Sequence, residues 1–237
     1  MAQHISRKEL KKDEVRETLA HGAEAILSHQ QVTTYILIAA VVIAVAIFGW
    51  KAYVQRQTVK ASAAFDSAMK VFQAPVGTPP SPGQVSYATD NQKFLAAVKQ
   101  FSDIASRYPR TRPGQLARYY AALSSEKLND NAGAKRWLEG ISGSGDEEVA
   151  AIAKFELAGL DDRMGQDDEA VKFYQELIDK PSVFVPKPVA MLALATHYAQ
   201  KNPGEAAKLY QQIKSDFPDT PMAEQADQAL SLLPSKS

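Results

Sequence analysis

The sequence contains no cysteine and has no excess of charge of either sign. Without cysteine, the chain forms no disulfide and offers no thiolate to catalysis or to a metal ion, and it suits a reducing or an oxidising compartment equally well. Its 27 basic residues are balanced by 27 acidic ones. Nucleic acid therefore has no electrostatic reason to bind this protein.

The motifs of catalytic and metal sites are also missing. The histidines show no metal-ligand spacing, and the acidic clusters lack the arrangement of a calcium loop. The glycine-rich stretch is not followed by the Gly-Lys-Ser/Thr of a phosphate loop. We interpret the acidic clusters as solvated helix ends, and we expect no enzyme, metal, cofactor or small-molecule substrate. The residues concerned are His4, His21, His29 and His197, the acidic positions 161–162 and 167–169, and the stretch 140–145.

The longest apolar run is YILIAAVVIAVAIFGW, residues 35–50. As a helix extended to Tyr53 it would measure about 27 Å, close to the hydrocarbon thickness of a bilayer. Its aliphatic and Phe side chains favour membrane insertion by roughly 3 to 5 kcal/mol. Tyr35, Trp50 and Tyr53 suit the membrane interfaces, and Lys51 can reach the head groups. We predict one uncleaved membrane anchor over residues 33–54, because the run begins too late and is too long for a signal peptide.

Residues 1–32 are predicted to form an amphipathic helical tail. A capping box at Ser6 is followed by an apolar stripe that includes Val15, Leu19 and Ile26. The stripe suits a membrane surface or a partner helix, and a solvated, partly helical tail is the alternative.

The charges beside the span leave its orientation open. Lys51, Arg56, Lys60 and Lys70 follow the span, whereas only Arg16 precedes it closely. A positive-inside count would keep the large domain in the cytoplasm, but long domains translocate largely regardless of charge.

Four segments beyond the span share one spacing. In each, an alanine is followed by a large residue at +4 and an aliphatic residue at +7, which places all three on one helix face. Successive segments begin 37, 36 and 36 residues apart. A two-helix repeat of this length is the tetratricopeptide pattern. We predict an all-α chain in which a single N-terminal transmembrane helix is followed by a tetratricopeptide-like helical solenoid. The segments span residues 97–104, 134–141, 170–177 and 206–213.

Residues 55–234 are assigned to this repeat domain, with the helix after Pro221 as its cap. Two irregular stretches interrupt it: a Pro/Gly-rich loop at 75–84 and the segment 181–188. Each is either a binding loop or a plain connection.

Protein binding is the expected role of such a domain, on the concave face lined by the first helix of each repeat. Tyr119, Phe155 and Met191 fall 36 residues apart and are predicted to align as an apolar column there. The alternative is that several of these side chains are buried between helices. The predicted partner-binding residues are Tyr119, Leu123, Lys127, Phe155, Arg163, Met191 and Tyr198.

The layout resembles a known family. A helical tail, a span ending in Gly49-Trp50 and the segment Ala61-Ser62-Ala63-Ala64-Phe65 opening the repeat domain are similar to the YfgM-like family of ancillary SecYEG translocon subunits. The resemblance implies a single-pass protein of the bacterial inner membrane with a cytoplasmic N-terminus and a periplasmic repeat domain. It also implies contact with the SecYEG translocon and with periplasmic chaperones or newly exported proteins. The Pro-rich loop departs from the compact pattern expected of this family.

Two other functions remain open at this point. A structural scaffold in envelope or secretion-system assembly would hold stable, stoichiometric partners. A cytoplasm-facing tetratricopeptide receptor would follow from the basic residues after Trp50.

Overall fold

The computed structural model describes residues 30–79 and 85–233. In this part the chain is nearly all helical, and its only strand-like feature is a single parallel bridge between Val76 and Tyr87. The predicted all-α fold is thereby confirmed. Almost all of the predicted tail and part of the Pro/Gly-rich loop lie outside the described residues. The nine described helices are α1 (Gln30–Phe72), α2 (Asp90–Arg107), α3 (Arg112–Lys127), α4 (Asn131–Ser142), α5 (Glu147–Arg163), α6 (Asp167–Asp179), α7 (Lys187–Lys201), α8 (Pro203–Asp216) and α9 (Pro221–Leu232).

Helix α1 is 43 residues long and contains no proline to interrupt it. Its segment Thr34–Phe72 is long and apolar enough to cross a membrane. The mean hydropathy of its most apolar 18 residues is 2.2, and none of these residues is buried. A core helix of this composition would be buried against its neighbours. The predicted anchor residues Tyr35, Trp50, Lys51 and Tyr53 are all exposed on this helix.

The chain divides into two compact units, Met1–Arg56 and Gln57–Ser237. Within the second unit, each helix from α2 to α9 packs against the next one in sequence. This is the stacking of helix pairs that the repeat spacing predicts. Side-chain caps fix where most of these helices begin; the capping residues are Thr89, Thr111, Asp130, Asp146, Asn202 and Thr220.

The alanine, large and aliphatic residues of the repeat form the core between paired helices. All twelve are at most 5 % exposed: Ala97, Phe101, Ile104, Ala134, Leu138, Ile141, Ala170, Tyr174, Leu177, Ala206, Tyr210 and Ile213. Near the start of the domain, the rings of Phe65, Phe72, Phe101 and Tyr120 pack with centroids 5.3 to 6.2 Å apart. Such distances favour aromatic pairs.

In two repeats, the turn between the paired helices contains a residue in the left-handed backbone conformation. Asn129 joins α3 to α4 with a φ of 60°, and Gly165 follows α5 with a φ of 72°. Glycine adopts this conformation without strain, and asparagine tolerates it better than most residues. The two positions are 36 residues apart, so the same turn recurs with the repeat.

Candidate protein-binding face

The first helices of three successive repeats, α3, α5 and α7, approach one another through side chains on one side of each helix. We call this surface the first-helix face and define it by Tyr119, Glu126, Phe155, Glu156, Asp162, Arg163 and Leu192. It combines polar pairs between α3 and α5 with an apolar pocket beside α7.

Two polar pairs connect α3 to α5. The Tyr119 hydroxyl donates to Glu156 Oε1 at 3.0 Å, and Arg163 Nη2 donates to Glu126 Oε2 at 2.5 Å. Burial and the charge of Glu156 raise the pKa of Tyr119, so this hydroxyl keeps its proton. Burial also raises the pKa of Glu126, although Arg163 opposes the shift. The pairs hold these side chains in place on the face.

A second polar cluster joins α5 to α7. His197 Nδ1 lies 2.8 Å from Asp162 Oδ1, and Lys201 Nζ donates to Asp162 Oδ1 at 3.2 Å and to Asp167 Oδ1 at 2.5 Å. Burial alone would raise the pKa of Asp162, but the hydrogen bonds from His197 and Lys201 outweigh it and lower that pKa. Asp162 therefore carries its charge at neutral pH.

The same cluster has the donor atoms of a metal site. Ligand atoms of Asp162, Asp167 and His197 lie within 4.8 Å of one another. The ammonium of Lys201 already bonds both carboxylates. It supplies the positive charge that a metal ion would otherwise bring to them. We therefore assign the cluster as an ion-pair network between repeats.

An apolar pocket of about 340 Å³ opens beside this cluster. Phe155 of α5, Leu192 of α7 and Met222 of α9 are the largest apolar residues that line it. Its polar lining residues are Asp162, Tyr174, Thr196 and Gln225. Burial, together with the charge of Asp162, raises the pKa of Tyr174 to about 12, so its hydroxyl is protonated and able to donate.

The predicted binding residues fall into different environments. Lys127 and Arg163 are exposed. Met191 is 1 % exposed and packs in a core cluster with Ala195 and Tyr210. It therefore lies in the interior and not in the expected column. The half-buried members of the set are Tyr119, Leu123, Phe155 and Tyr198.

Met191 differs from its neighbour Leu192 in the side of α7 on which it lies. Contacts between α3 and α5 join residues 37 apart, as in Tyr119 to Glu156 and Glu126 to Arg163. On α7, the residue that lines the pocket with Phe155 is Leu192, one residue after Met191. One residue corresponds to about 100° of rotation around a helix. Leu192 and Met191 therefore point to different sides of α7: Leu192 lines the pocket, and Met191 packs in the core cluster.

Sequence reasoning missed the buried polar residues. The expectation that Asp161 lies at a solvated helix end was wrong: its side chain is 0 % exposed and pairs with Lys135 Nζ at 2.7 Å. Asp162, Asp167 and His197 are brought together although 35 residues separate Asp162 from His197. No local motif indicates this, because the spacing arises from stacking of repeats.

In a comparison with protein families, the model of the tetratricopeptide repeat-like domain matches residues 29–184. The comparisons with curated proteins and with solved structures found no match. The matched region is well over half of the chain and includes α1 through α6. The helices beyond it continue the same spacing and the same buried pattern. The chain belongs to the tetratricopeptide repeat-like domain family.

Proposed function

We propose that this protein is a single-pass protein of the bacterial inner membrane whose repeat domain binds other proteins at the SecYEG translocon. Residues 1–32 are its cytoplasmic tail, residues 33–54 its anchor and residues 55–234 its periplasmic domain. Its partners are translocon subunits together with periplasmic chaperones or newly exported polypeptides.

The observation that carries the proposal is that the apolar side chains of α1 are exposed, whereas those of the repeat helices are buried. The apolar window of α1 is entirely exposed, while the repeat helices bury their own apolar residues in a continuous core. A lipid bilayer is the environment that suits such a fully exposed apolar helix. Family membership supports protein binding by the rest of the chain. The resemblance to translocon subunits supports the partner class.

The proposed orientation is tested with reporter fusions after Ser237. We expect an alkaline phosphatase fusion to be active, because this enzyme requires export, and a fusion to a cytoplasm-dependent fluorescent protein to stay dark. The opposite pair of results would place the domain in the cytoplasm and favour the receptor function.

The partner class is tested by site-specific photocrosslinking in cells with the full chain. A photoreactive residue at Thr196, which is exposed beside the pocket, should give crosslinks to translocon subunits, periplasmic chaperones or exported polypeptides. The matched control carries the same group at Gln211, an exposed residue of α8 that contributes nothing to the first-helix face. Equal crosslinking from both positions, or crosslinks only to one stoichiometric envelope component, would refute the proposal; the second result would favour a scaffold.

A further inference from the structure

Immediately after its apolar run, α1 carries basic residues and no acidic ones. Lys51 and Arg56 follow Trp50 within six residues, and the sequence contains no Asp or Glu between Glu24 and Asp66. Ion pairs within a helix join residues three or four apart, so no acidic side chain of α1 neutralises either base. Among the residues that the structure describes, no ion pair includes Lys51 or Arg56. The charge of both bases is therefore left unbalanced by the protein.

Two aromatic side chains mark the depth at which these charges lie. Trp50 and Tyr53 are both exposed, and their ring centroids are 6.3 Å apart. Tryptophan and tyrosine favour the boundary between the hydrocarbon and the head groups of a bilayer. Along the helix axis, Lys51 lies about 1.5 Å beyond Trp50 and Arg56 about 9 Å beyond it. The head-group layer is roughly 5 to 8 Å thick on each side, so Lys51 lies within this layer and Arg56 at its outer edge.

The direction of the helix brings the side chain of Arg56 closer to the lipid than its backbone. In an α-helix every Cα–Cβ bond is tilted toward the N-terminus, and the apolar run of α1 lies on the N-terminal side of Arg56. The side chain therefore leaves the helix in the direction of the head groups. Lys51 and Arg56 are both exposed, so lipid can reach both of them.

The two bases lie on different sides of α1. They are five residues apart, which corresponds to a rotation of about 140° around the helix axis. A single head group does not reach around the helix to both sides. Each base therefore contacts a lipid molecule of its own.

We infer that Lys51 and Arg56 form a binding surface for the head groups of anionic phospholipids, with one lipid at each base. A guanidinium matches a phosphate through two parallel hydrogen bonds, and an ammonium binds it as a point charge. A zwitterionic head group carries its own ammonium beside the phosphate, whereas that of phosphatidylglycerol does not, so the attraction favours the anionic lipid. The inference rests on the membrane anchor of the proposed function and goes beyond it, because an anchor by itself requires no particular lipid.

The test measures which lipids surround Trp50 when the full chain is reconstituted into vesicles. Two sets of vesicles contain phosphatidylcholine and phosphatidylglycerol in the same proportion, and an equal amount of one lipid or the other carries brominated acyl chains, which quench tryptophan fluorescence on contact. All variants carry Trp137→Phe, which leaves Trp50 as the one tryptophan. We expect a preference for phosphatidylglycerol of about two- to fivefold at low ionic strength. Each base near the surface adds about a fivefold attraction, but some of the lipids around Trp50 touch neither base.

The variants separate charge from other effects. Lys51→Gln with Arg56→Gln should abolish the preference, each single change should remove part of it, and Arg56→Lys should retain it. Raising the salt concentration to 1 M should weaken the preference of the unaltered protein, because salt screens the attraction. The matched control, Lys99→Gln with Lys172→Gln, removes two exposed bases of the repeat domain and should leave the preference unchanged.

Three results would overturn the inference: equal quenching by the two brominated lipids in the unaltered protein, a preference that survives the double change at residues 51 and 56, or an equal loss in the control. Failure of the anchor gives a different result, because Trp50 would then be quenched by neither lipid. The measurement in vesicles does not depend on which compartment contains the repeat domain. A cytoplasmic domain in the reporter fusions would therefore refute the proposed orientation and leave the lipid preference standing.

Discussion

Two glycines in helices of the repeat domain differ in what an added methyl group would meet. At Gly159 the nearest atoms beyond its own helix backbone would be 3.5 Å away, in ordinary contact. At Gly114 a Cβ would lie 1.9 Å from the backbone oxygen of Tyr108, at the start of α3. Alanine is therefore compatible with the fold at the first position and not at the second.

We predict that Gly159→Ala raises the free energy of unfolding by about 0.5 to 1 kcal/mol, since alanine restricts the unfolded chain more than glycine does. Gly114→Ala should lower it by about 1 to 3 kcal/mol, because backbone must move to relieve the overlap. Urea unfolding followed by circular dichroism measures both. A stabilising effect at both positions, or at neither, would contradict the packing described.

Among the described residues, Lys135 is the one cation that pairs with the buried carboxylate of Asp161. Lys135 Nζ bonds Asp161 Oδ1 at 2.7 Å and Gln166 Oε1 at 2.6 Å, which ties α4 to α5 and to the turn after it. Asp161 Oδ2 is buried and has no partner among the described residues. Loss of Lys135 would leave a buried charge uncompensated.

Lys135→Met should therefore lower the free energy of unfolding by about 3 kcal/mol or more. The control is Lys154→Met, which removes an equally short pair with Glu176 whose side chains are 30 % and 39 % exposed. That change should cost no more than about 1 kcal/mol. Adding Asp161→Leu to Lys135→Met should restore much of the loss, since it removes the stranded charge. If Lys135→Met and Lys154→Met lowered the free energy of unfolding equally, the buried ion pair would be no more important for stability than the exposed one, and the prediction would be wrong.

At the scale of the elements, the loop between α6 and α7 packs on α5 through Val185 and is hydrogen-bonded to it through Glu148. The Glu148 carboxylate accepts the backbone N–H groups of Val183 and Phe184, at 3.1 and 2.9 Å. These bonds lower the pKa of Glu148 below its ordinary 4.5. Because the folded-state pKa is the lower one, the restraint is complete above pH 4.5 and is lost as the pH falls through the folded value.

We predict that Glu148→Ala increases amide exchange at Val183 and Phe184, and that acidification through the Glu148 pKa does the same in the unaltered protein. Protection factors from exchange detected by mass spectrometry or NMR measure this. The Lys180 N–H is an internal control, because it donates to the backbone oxygen of Glu176 and not to a carboxylate. Glu147→Ala, which removes the adjacent acid from the same helix turn, should leave the loop protected. Unchanged exchange in Glu148→Ala would show that the loop is held by other contacts.

At the scale of the whole molecule, the proposed membrane location depends on the central apolar part of α1. A charged residue at the centre of a span costs roughly 2.5 to 3.5 kcal/mol, so two exceed the roughly 3 to 5 kcal/mol gained from the apolar side chains. Val42→Arg with Val45→Arg should therefore release the protein from the membrane fraction in carbonate extraction. Both positions are exposed, so helix packing gives no other reason for the effect.

The matched control places two arginines at Val59 and Ala63, which are exposed on α1 beyond the anchor. This variant should remain in the membrane fraction. Retention of Val42→Arg with Val45→Arg, or release of both variants alike, would contradict an anchor at residues 33–54.

The sequence by itself determined the features that depend on local periodicity. A residue such as Phe101 or Tyr210 is buried because the 3.6-residue turn places it with an alanine and an aliphatic residue on one face. The repeat spacing therefore predicted the helix pairs and their core. The apolar run identified α1 as a helix able to cross a membrane, because length and composition suffice for that inference.

Only the tertiary structure decided which side chains meet across repeats. Phe155 shares the pocket with Leu192 and not with Met191, since one residue of register rotates a helical side chain by about 100°. Asp161 is buried because Lys135 of the preceding helix covers its charge. These contacts depend on the rotation and stacking of whole helices, which no spacing within one helix specifies.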